Sequence, residues 1–487
     1  TEPGAQPLMT SSILDGSAPE PLYNQLRLHL LGRIEAAEFG PGDRIPTEME
    51  LCEEYGVSRS TARQALQLLT ADDVLIRARR RGTIVSPSWR STAPSDEMRL
   101  VISDSYREDE IRAAIPSDRN VKVTVVAYDE MRRFLLRATA EGRAPDVAMI
   151  DHVWVAEFAR MHMIHSLHHL DAAWADETLR SSIHPAVATG YLFADELYAI
   201  PEEVNLAGVW YDTVALFELG AAIPSTWEDL LAVATALKEL DAARFPIAMP
   251  GGQAARETTS YCVAALLASN GAAIIDRDVV LDSSAAVGSL RFLRRLIETG
   301  LVSPSVVDAD WLEAPRKLGT GEAAITFGGS YETEHIAASA AQPVESLSDR
   351  FVFRPFPAGP HGAEATVIGG MGYAIFRQAA DPYSALDLVK SIAASSRLDA
   401  RSIRHGTISP TGAAGSLGTP DQSFIGSGGH ILESATTRPV VPTYAPVTRQ
   451  IQRMVQSVIE GAIRPAAAAE RTAEFIGAVT DLPVVHR

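Results

Sequence analysis

The sequence predicts a multidomain chain: a small N-terminal winged helix-turn-helix of α+β class, followed by a large two-lobed α/β body. Three observations carry this. The chain has 487 residues, and at roughly 100–200 residues per domain that length calls for several domains. Its charge is uneven: residues 1–90 hold 10 Arg against 12 acids, a balance of −2, in a chain of net charge −18. Within that part, Tyr55 to Arg90 carries seven Arg against Asp72 and Asp73, +5 over 36 residues. Finally, from Arg99 onward the texture changes from helical periodicity to short apolar runs alternating with helical stretches. An acidic chain with one concentrated basic element suggests a small nucleic-acid reader joined to a different module.

Composition bounds the alternatives. Hydrophobic residues make up 46% and charged residues 21%, which excludes wholesale disorder. No run of about 18 uninterrupted apolar residues occurs, so no transmembrane helix and no membrane partner is expected. Thr1 to Ser17 is polar, with neither a basic nor an apolar region, and reads as a flexible tail over 1–17. With only Cys52 and Cys262 present, a disulfide scaffold or a cysteine-built zinc site is excluded. A cytoplasmic location is the expectation.

The elements follow in order. Leu22, Leu26, Leu30 and Ile34 recur at steps of four and mark an amphipathic helix within Pro21 to Ala37. Gly40-Pro41-Gly42-Asp43 breaks it. Thr47 stands three before Glu50, an N-cap with its capping-box partner, and opens a helix that Gly56 ends. Ser58 caps a second helix with Ala62, Ala65, Leu66 and Leu69 turned inward; a short Gly-containing turn between two helices is a helix-turn-helix. Val74-Leu75-Ile76 and Thr83-Ile84-Val85 flank a basic tip and predict a hairpin wing, so the first domain is set at 18–86. Residues 87–97 read as a linker by composition. Over 98–487, runs at Leu100–Ile102, Val121–Val126, Val147–Ile150, Leu206–Trp210, Ala323–Phe327 and Met371–Phe376 alternate with helices. That pattern predicts largely parallel sheets, and the length exceeds one core, hence two lobes.

Several stretches are specific enough to resemble a family. Pro21-Leu22-Tyr23, Gly40 through Glu48, Gly56-Val57-Ser58-Arg59-Ser60-Thr61-Ala62-Arg63-Gln64-Ala65-Leu66 and Arg81-Gly82-Thr83 resemble the winged-helix domain of the GntR family of bacterial transcription regulators. Elementary chemistry agrees. A helix starting near Ser58 turns its backbone amides toward phosphate, and Arg59 and Arg63, four apart, share a face from which guanidinium can bind guanine edges. The resemblance implies DNA contacts at Arg44, Glu48, Ser58, Arg59, Ser60, Thr61, Arg63, Arg80, Arg81 and Gly82. Met49 and Arg80 depart from residues that many relatives carry nearby.

The remaining chain, over about 98–480, is similar to the solute-binding proteins of ABC sugar transporters, extracellular solute-binding family 1, of type II periplasmic-binding-protein fold. The likeness rests on Pro145 through Asp151 with Trp154, Tyr198-Ala199-Ile200-Pro201 through Asp212, Pro224 through Leu230, Gly319 through Ile325 with Gly328-Gly329-Ser330-Tyr331, Gly369-Gly370, and Arg438-Pro439 with Pro442-Thr443-Tyr444. A pyridoxal-phosphate aminotransferase-like domain, known in one GntR subgroup, is the rival. It needs a Schiff-base lysine, and none of Lys122, Lys238, Lys317 and Lys390 stands in a suitable context. The resemblance implies a carbohydrate cleft between lobes. It is lined by Asp104, Ser105, Tyr106, Asp151, Trp154, Glu203, Asn205, Ser330, Tyr331, Gly370 and Met371, with Trp311 and Tyr444 as weaker candidates. Trp227 reads as packing in a helix start.

Three patterns point elsewhere. Glu202-Glu203 suggests a glycosidase pair, yet no partner motif accompanies it, and no catalytic residue is assigned. His162, His165, His168 and His169 suggest a metal site but read as structural or surface residues; no metal and no cofactor is expected. Gly426-Ser427-Gly428-Gly429 lacks the Lys-Ser/Thr of a phosphate loop and reads as a mobile loop. The reading is a regulator, not an enzyme, that binds double-stranded operator DNA as a homodimer and responds to a small carbohydrate effector. An inducible repressor of sugar uptake or catabolism genes is the expected form. The alternative is a carbohydrate-binding protein of uptake or storage with a vestigial DNA module.

Overall fold

The structure, a computed structural model, describes residues 14, 21–35, 38–71, 74–78, 82–86, 97–104, 108–405, 407–412, 428–433 and 435–486. The chain divides into two compact units, Thr1–Glu97 and Met98–Arg487. Apart from Leu14, the tail 1–17 lies outside the described residues, as do the linker stretch 87–96, the wing tip at Arg80 and Arg81, and Ser105 and Tyr106. Leu14 is buried in the first unit's core.

In the first unit, α1 (Leu22–Glu35) buries Leu26, Leu30 and Ile34. Helix α2 (Glu48–Tyr55) is capped at both ends. Thr47 Oγ1 accepts from Glu50 N at 3.3 Å, and Thr47 N donates to the Glu50 carboxylate at 2.6 Å. Gly56, at φ 64°, then turns the chain in the left-handed region, where glycine is favoured. Helix α3 (Arg59–Ala71) places Ala62, Ala65, Leu66 and Leu69 in the core. Strands β1 (Leu75–Ala78) and β2 (Gly82–Val85) pair antiparallel, Leu75 opposite Val85 and Ala78 opposite Gly82. A bridge from Arg44 to Ile84 adds the segment before α2 to this ribbon.

The strands that build the two large sheets of the second unit, in chain order, are β3 (Glu97–Ser103), β4 (Asn120–Val126), β5 (Val147–Asp151), β6 (Ile200–Pro201), β7 (Asn205–Asp212), β8 (Ile247–Ala248), β9 (Ile325–Gly329), β10 (Phe351–Arg354), β11 (Val367–Gly369), β12 (Met371–Ile375) and β13 (Thr436–Thr437). They form a first-lobe sheet of order β4-β3-β5-β12-β6 and a second-lobe sheet of order β8-β9-β7-β11-β13, with β10 also on β7. The helices that matter for the site are α4 (Tyr128–Ala140), α5 (His152–Arg160), α6 (Glu257–Ser269), α7 (Ser395–His405) and α8 (Tyr444–Ile459).

Both sheets are mixed, which corrects the expectation of largely parallel sheets. β3 and β5 are parallel, but β12 runs antiparallel to β5 and β6, and β7 antiparallel to β9, β10 and β11. The reason is that β7 and β12 enter their sheets from the other lobe, against the direction of their neighbours. The expected loop at Gly426–Gly429 also changes: Gly428 and Gly429 open a short helix, Gly428–Glu433, while Gly426 and Ser427 lie outside the described residues. Trp227 is buried and stacked on Phe292 at 4.3 Å, a packing residue as read.

The chain passes between lobes at Glu202–Val204, linking β6 to β7, and at Gly370, linking β11 to β12. The two passages touch. Gly370 has φ +134°, and a Cβ there would stand 2.4 Å from the Glu203 carbonyl oxygen. Gly370→Ala combines a disfavoured φ with a backbone clash and is expected to cost about 1–3 kcal/mol. A lowered melting temperature of the full chain by calorimetry checks this; an unchanged one contradicts it.

Candidate functional site

The first unit presents one face of α3. Glu48, Arg59, Ser60, Arg63, Gln64 and Gln67 line an open concavity of about 660 Å³. The Arg59 side chain is 83% exposed and rests on Glu48 at 3.3 Å. Arg63 is exposed and makes no hydrogen bond or ion pair among the described residues. Ser58 Oγ accepts from Thr61 N at 3.2 Å and sits 2.8 Å from the hydroxyls of both Ser60 and Thr61, fixing the first turn. Arg44 lies beside the wing, its Nε 3.8 Å from where a Gly82 Cβ would stand, and it pairs with Glu50 at 3.7 Å. Arg44, Arg59, Arg63 and Gly82 are thus exposed residues held by α2, α3 and the hairpin. An exposed pair such as Glu48–Arg59 is weak, so the guanidinium is available to a polyanion.

The second unit holds a buried ionic cluster between its lobes. Asp151 ends β5, caps α5 through a 3.2 Å bond from Val153 N, and belongs to the first lobe. Glu257 opens α6 in the second lobe. Arg438, 4% exposed, donates to Asp151 Oδ1 at 3.2 Å and to Glu257 Oε1 at 2.5 Å. Its guanidinium lies 4.9 Å from the Tyr261 ring centroid, within cation–π range. Tyr128 donates its hydroxyl to Asp151 Oδ2 at 2.6 Å; Thr448 donates to Glu257 Oε2 at 2.7 Å, and Tyr444 donates to Glu257 Oε1. At the rim, Arg256 pairs with Asp129 of α4 at 2.5 Å. Arg256 has φ 51° and ψ −128°, a strained conformation costing about 1–3 kcal/mol.

Electrostatics follow from this packing. Burial pushes the Asp151 carboxyl up, but Arg438, His152 and Tyr128 outweigh it and hold the group well below the usual carboxylate range. Burial drives the Tyr128, Tyr261 and Tyr444 hydroxyls well up, so they stay protonated, and Tyr128 and Tyr444 act as donors. Glu332, fully buried beneath β9, differs. Neither of its oxygens meets a well-formed hydrogen bond, and burial pushes its carboxyl well up. It fits only because residue 328 is glycine, whose Cβ would stand 2.0 Å from Oε2.

The sequence-derived cleft residues are distributed as follows. Asp151 is in the cluster, and Trp154 stacks on Tyr128 at 5.7 Å beside it. Tyr331 bonds Thr258 through its hydroxyl at 3.0 Å, and Trp311 packs 6.1 Å from Tyr331. Others are engaged elsewhere. Asp104 accepts from Tyr128 N at 2.9 Å. The Ser330 hydroxyl accepts from Leu206 N at 3.0 Å, and Met371 is buried opposite Asp151 in the first-lobe sheet. Glu203 is taken by Arg401 at 2.7 Å and by Asn205 at 3.2 Å. Glu202, no glycosidase acid, is fully buried in a bidentate pair with Arg397 at 2.8 and 3.0 Å. Sequence reasoning missed Tyr128, Glu257 and Tyr261, and used Arg438 only as a family marker. Of the four histidines, His168 accepts from Leu197 N at 3.0 Å and His169 pairs with Glu196 at 3.3 Å. Among the described residues no group of acids, histidines and cysteines could hold a metal.

Comparison with known proteins settles the ancestry. The model of the bacterial extracellular solute-binding proteins matches residues 116–395, more than half of the chain. The chain belongs to that family. Residues 22–85 match the gntR family of bacterial regulatory proteins and form a GntR-type helix-turn-helix region. Solved structures similar to the solute-binding body include a Thermotoga lettingae ABC transporter solute-binding protein bound with α-D-tagatose: 19% identity, TM-score 0.69, covering 79% of this chain and 99% of that one. Maltose-bound MalE3 of T. maritima gives 21%, 0.68, 78% and 99%. At these identities the likeness is one of fold. Curated relatives match over a short part of the chain. The HTH-type transcriptional repressor NagR of Bacillus subtilis is 32% identical over 118 residues, 24% of this chain and 46% of that protein. A probable fructoselysine utilization operon transcriptional repressor of Escherichia coli is 45% identical over 74 residues, 15% and 30%. The chain thus spans less than half the length of these curated relatives.

Glu332 yields a pH prediction for this family member. Its folded-state pKa lies above the unfolded value of about 4.3, so its stabilising contribution is full below that pH and is lost as pH rises. Glu332→Gln removes the loss. The variant's melting temperature relative to wild type is expected to be higher at pH 8 than at pH 4; a difference independent of pH contradicts the assignment.

Proposed function

We propose that this protein is a DNA-binding transcription regulator whose operator affinity is set by a small carbohydrate held between the lobes of its solute-binding body. One observation carries the proposal: a single chain joins a GntR-type helix-turn-helix region, its Arg63 exposed and unengaged, to a two-lobed body of solute-binding fold. Support comes from both sides. The curated relatives of the first unit are named as repressors. The structural neighbours of the second carry tagatose or maltose. The cleft region carries the partly exposed aromatics Tyr331 and Trp311, whose rings suit the C–H edges of a polyol, with the Thr258 hydroxyl beside them.

In this reading, Arg59 and Arg63 enter the major groove, Arg44 and the wing around Gly82 flank it, and Ser58, Ser60 and Thr61 meet phosphate. One chain carries one recognition helix, so palindromic sites require a homodimer. Sugar binding between the lobes shifts operator affinity by the coupling free energy, typically about 1–3 kcal/mol. The direction we propose is release, an inducible repressor of sugar uptake or catabolism genes acting in the cytoplasm.

The test is a gel shift at fixed salt, with the upstream DNA of neighbouring genes and a panel of mono- and oligosaccharides. Sugars that raise the melting temperature are expected to weaken the shift. Arg63→Ala is expected to weaken specific binding by about 1–3 kcal/mol. If Arg63→Ala leaves operator affinity unchanged, a binding protein with a vestigial DNA module is the better account.

A further inference from the structure

We propose that Arg438 is an internal latch: a guanidinium of the chain itself that bridges the lobes and holds the solute-binding body closed before any effector arrives. Its two partners lie on opposite sides of the cleft, Asp151 at the end of first-lobe strand β5 and Glu257 at the start of second-lobe helix α6. Arg438 itself follows β13 on a segment between the lobes, so neither lobe alone completes its coordination. The site is built for a cation. Two carboxylates, the face of Tyr261 and the hydroxyls of Tyr128, Tyr444 and Thr448 on those carboxylates surround one guanidinium.

The same segment makes a second tie. Arg256, next to Glu257, reaches Asp129 on the first lobe at 2.5 Å. Consecutive residues of one strained turn therefore grip both the other lobe's surface and the buried latch. The difference in exposure ranks the ties. The Arg256–Asp129 pair is 58% and 40% exposed and therefore weak, whereas Arg438 and Asp151 are 4% and 5% exposed. Deleting Arg438 leaves two carboxylates across the cleft without their shared cation. They regain solvation only if the lobes part. Arg438 thus acts as a positioning residue: it sets the closure equilibrium against which an effector works.

The inference rests on the two-lobed cleft of the proposed function, but its test uses neither sugar nor DNA, so the two readings fail separately. Nitroxides on Ala140→Cys in the first lobe and Arg295→Cys in the second, in a full chain carrying Cys52→Ser, report interlobe distance by pulsed electron resonance. Without ligand, the chain with Arg438 intact is expected to give one short distance. Arg438→Gln is expected to shift the closed-to-open ratio at least about tenfold toward a longer distance, Arg438→Lys less, and Glu257→Gln in the same direction. A purely structural role would lower the melting temperature without moving the distance. Should Arg438→Gln not fold, Glu257→Gln decides. A long distance in the unliganded Arg438-intact chain, or a short one retained in the folded variants, overturns the latch.

Discussion

A guanidinium cannot be buried without anions, and Arg438 is 4% exposed. Removing an ionised group from water costs several kcal/mol even after relaxation, and unpaired it would not be tolerated. This constraint organises the second unit. It fixes the end of β5, where Asp151 must face across the cleft while capping α5. It fixes the start of α6, where Arg256 takes a strained conformation so that Glu257 can reach the same cation. The interlobe passages run close together, with Gly370 leaving room for the Glu203 carbonyl. The lobes are joined at the cleft through charge and hydrogen bonds and also through apolar contact, since one core cluster runs from the first-lobe strands to Leu206, Trp210, Phe351 and Phe353 of the second-lobe sheet.

The first unit obeys a different logic. Its core is a small set of aliphatic side chains around Leu26, Leu51, Leu69 and Val85, and its geometry comes from local caps. What it leaves outside is charge: Arg59 held only by an exposed pair, Arg63 unengaged. In a chain of net charge −18, this small concentration of arginine can be steered to DNA without the whole surface becoming sticky to it.

How much of this was legible in the sequence depends on separation along the chain. The helix-turn-helix was legible because its determinants are local: Thr47 and Glu50 are three apart, Gly56 follows its helix directly, and Ala62, Ala65 and Leu69 share one face. Six strands of the second unit, β3, β4, β5, β7, β9 and β12, were legible for the same reason, whereas β6, β8, β10, β11 and β13 were not, nor were the strand directions, because β7 and β12 take theirs from the interlobe passages. The cleft was legible only in fragments. Asp151 and Trp154 stand in one family-like segment. Arg438, however, lies 287 positions from Asp151 and 181 from Glu257, and nothing near either acid announces a guanidinium partner. Ser330 shows the same effect of separation: its hydroxyl accepts from Leu206 N, 124 residues away.

The central claim is that the cleft and the recognition helix share one equilibrium. Linkage makes this testable without knowing the mechanism, because coupling between two binding sites must be reciprocal. The most direct measurement is a closed cycle by titration calorimetry and fluorescence anisotropy at one salt concentration: operator Kd with and without saturating sugar, and sugar Kd with and without saturating operator. The account predicts that both ratios equal the same factor, about 5- to 150-fold. Two ratios of one, with both ligands bound, would show two independent proteins on one chain and contradict it.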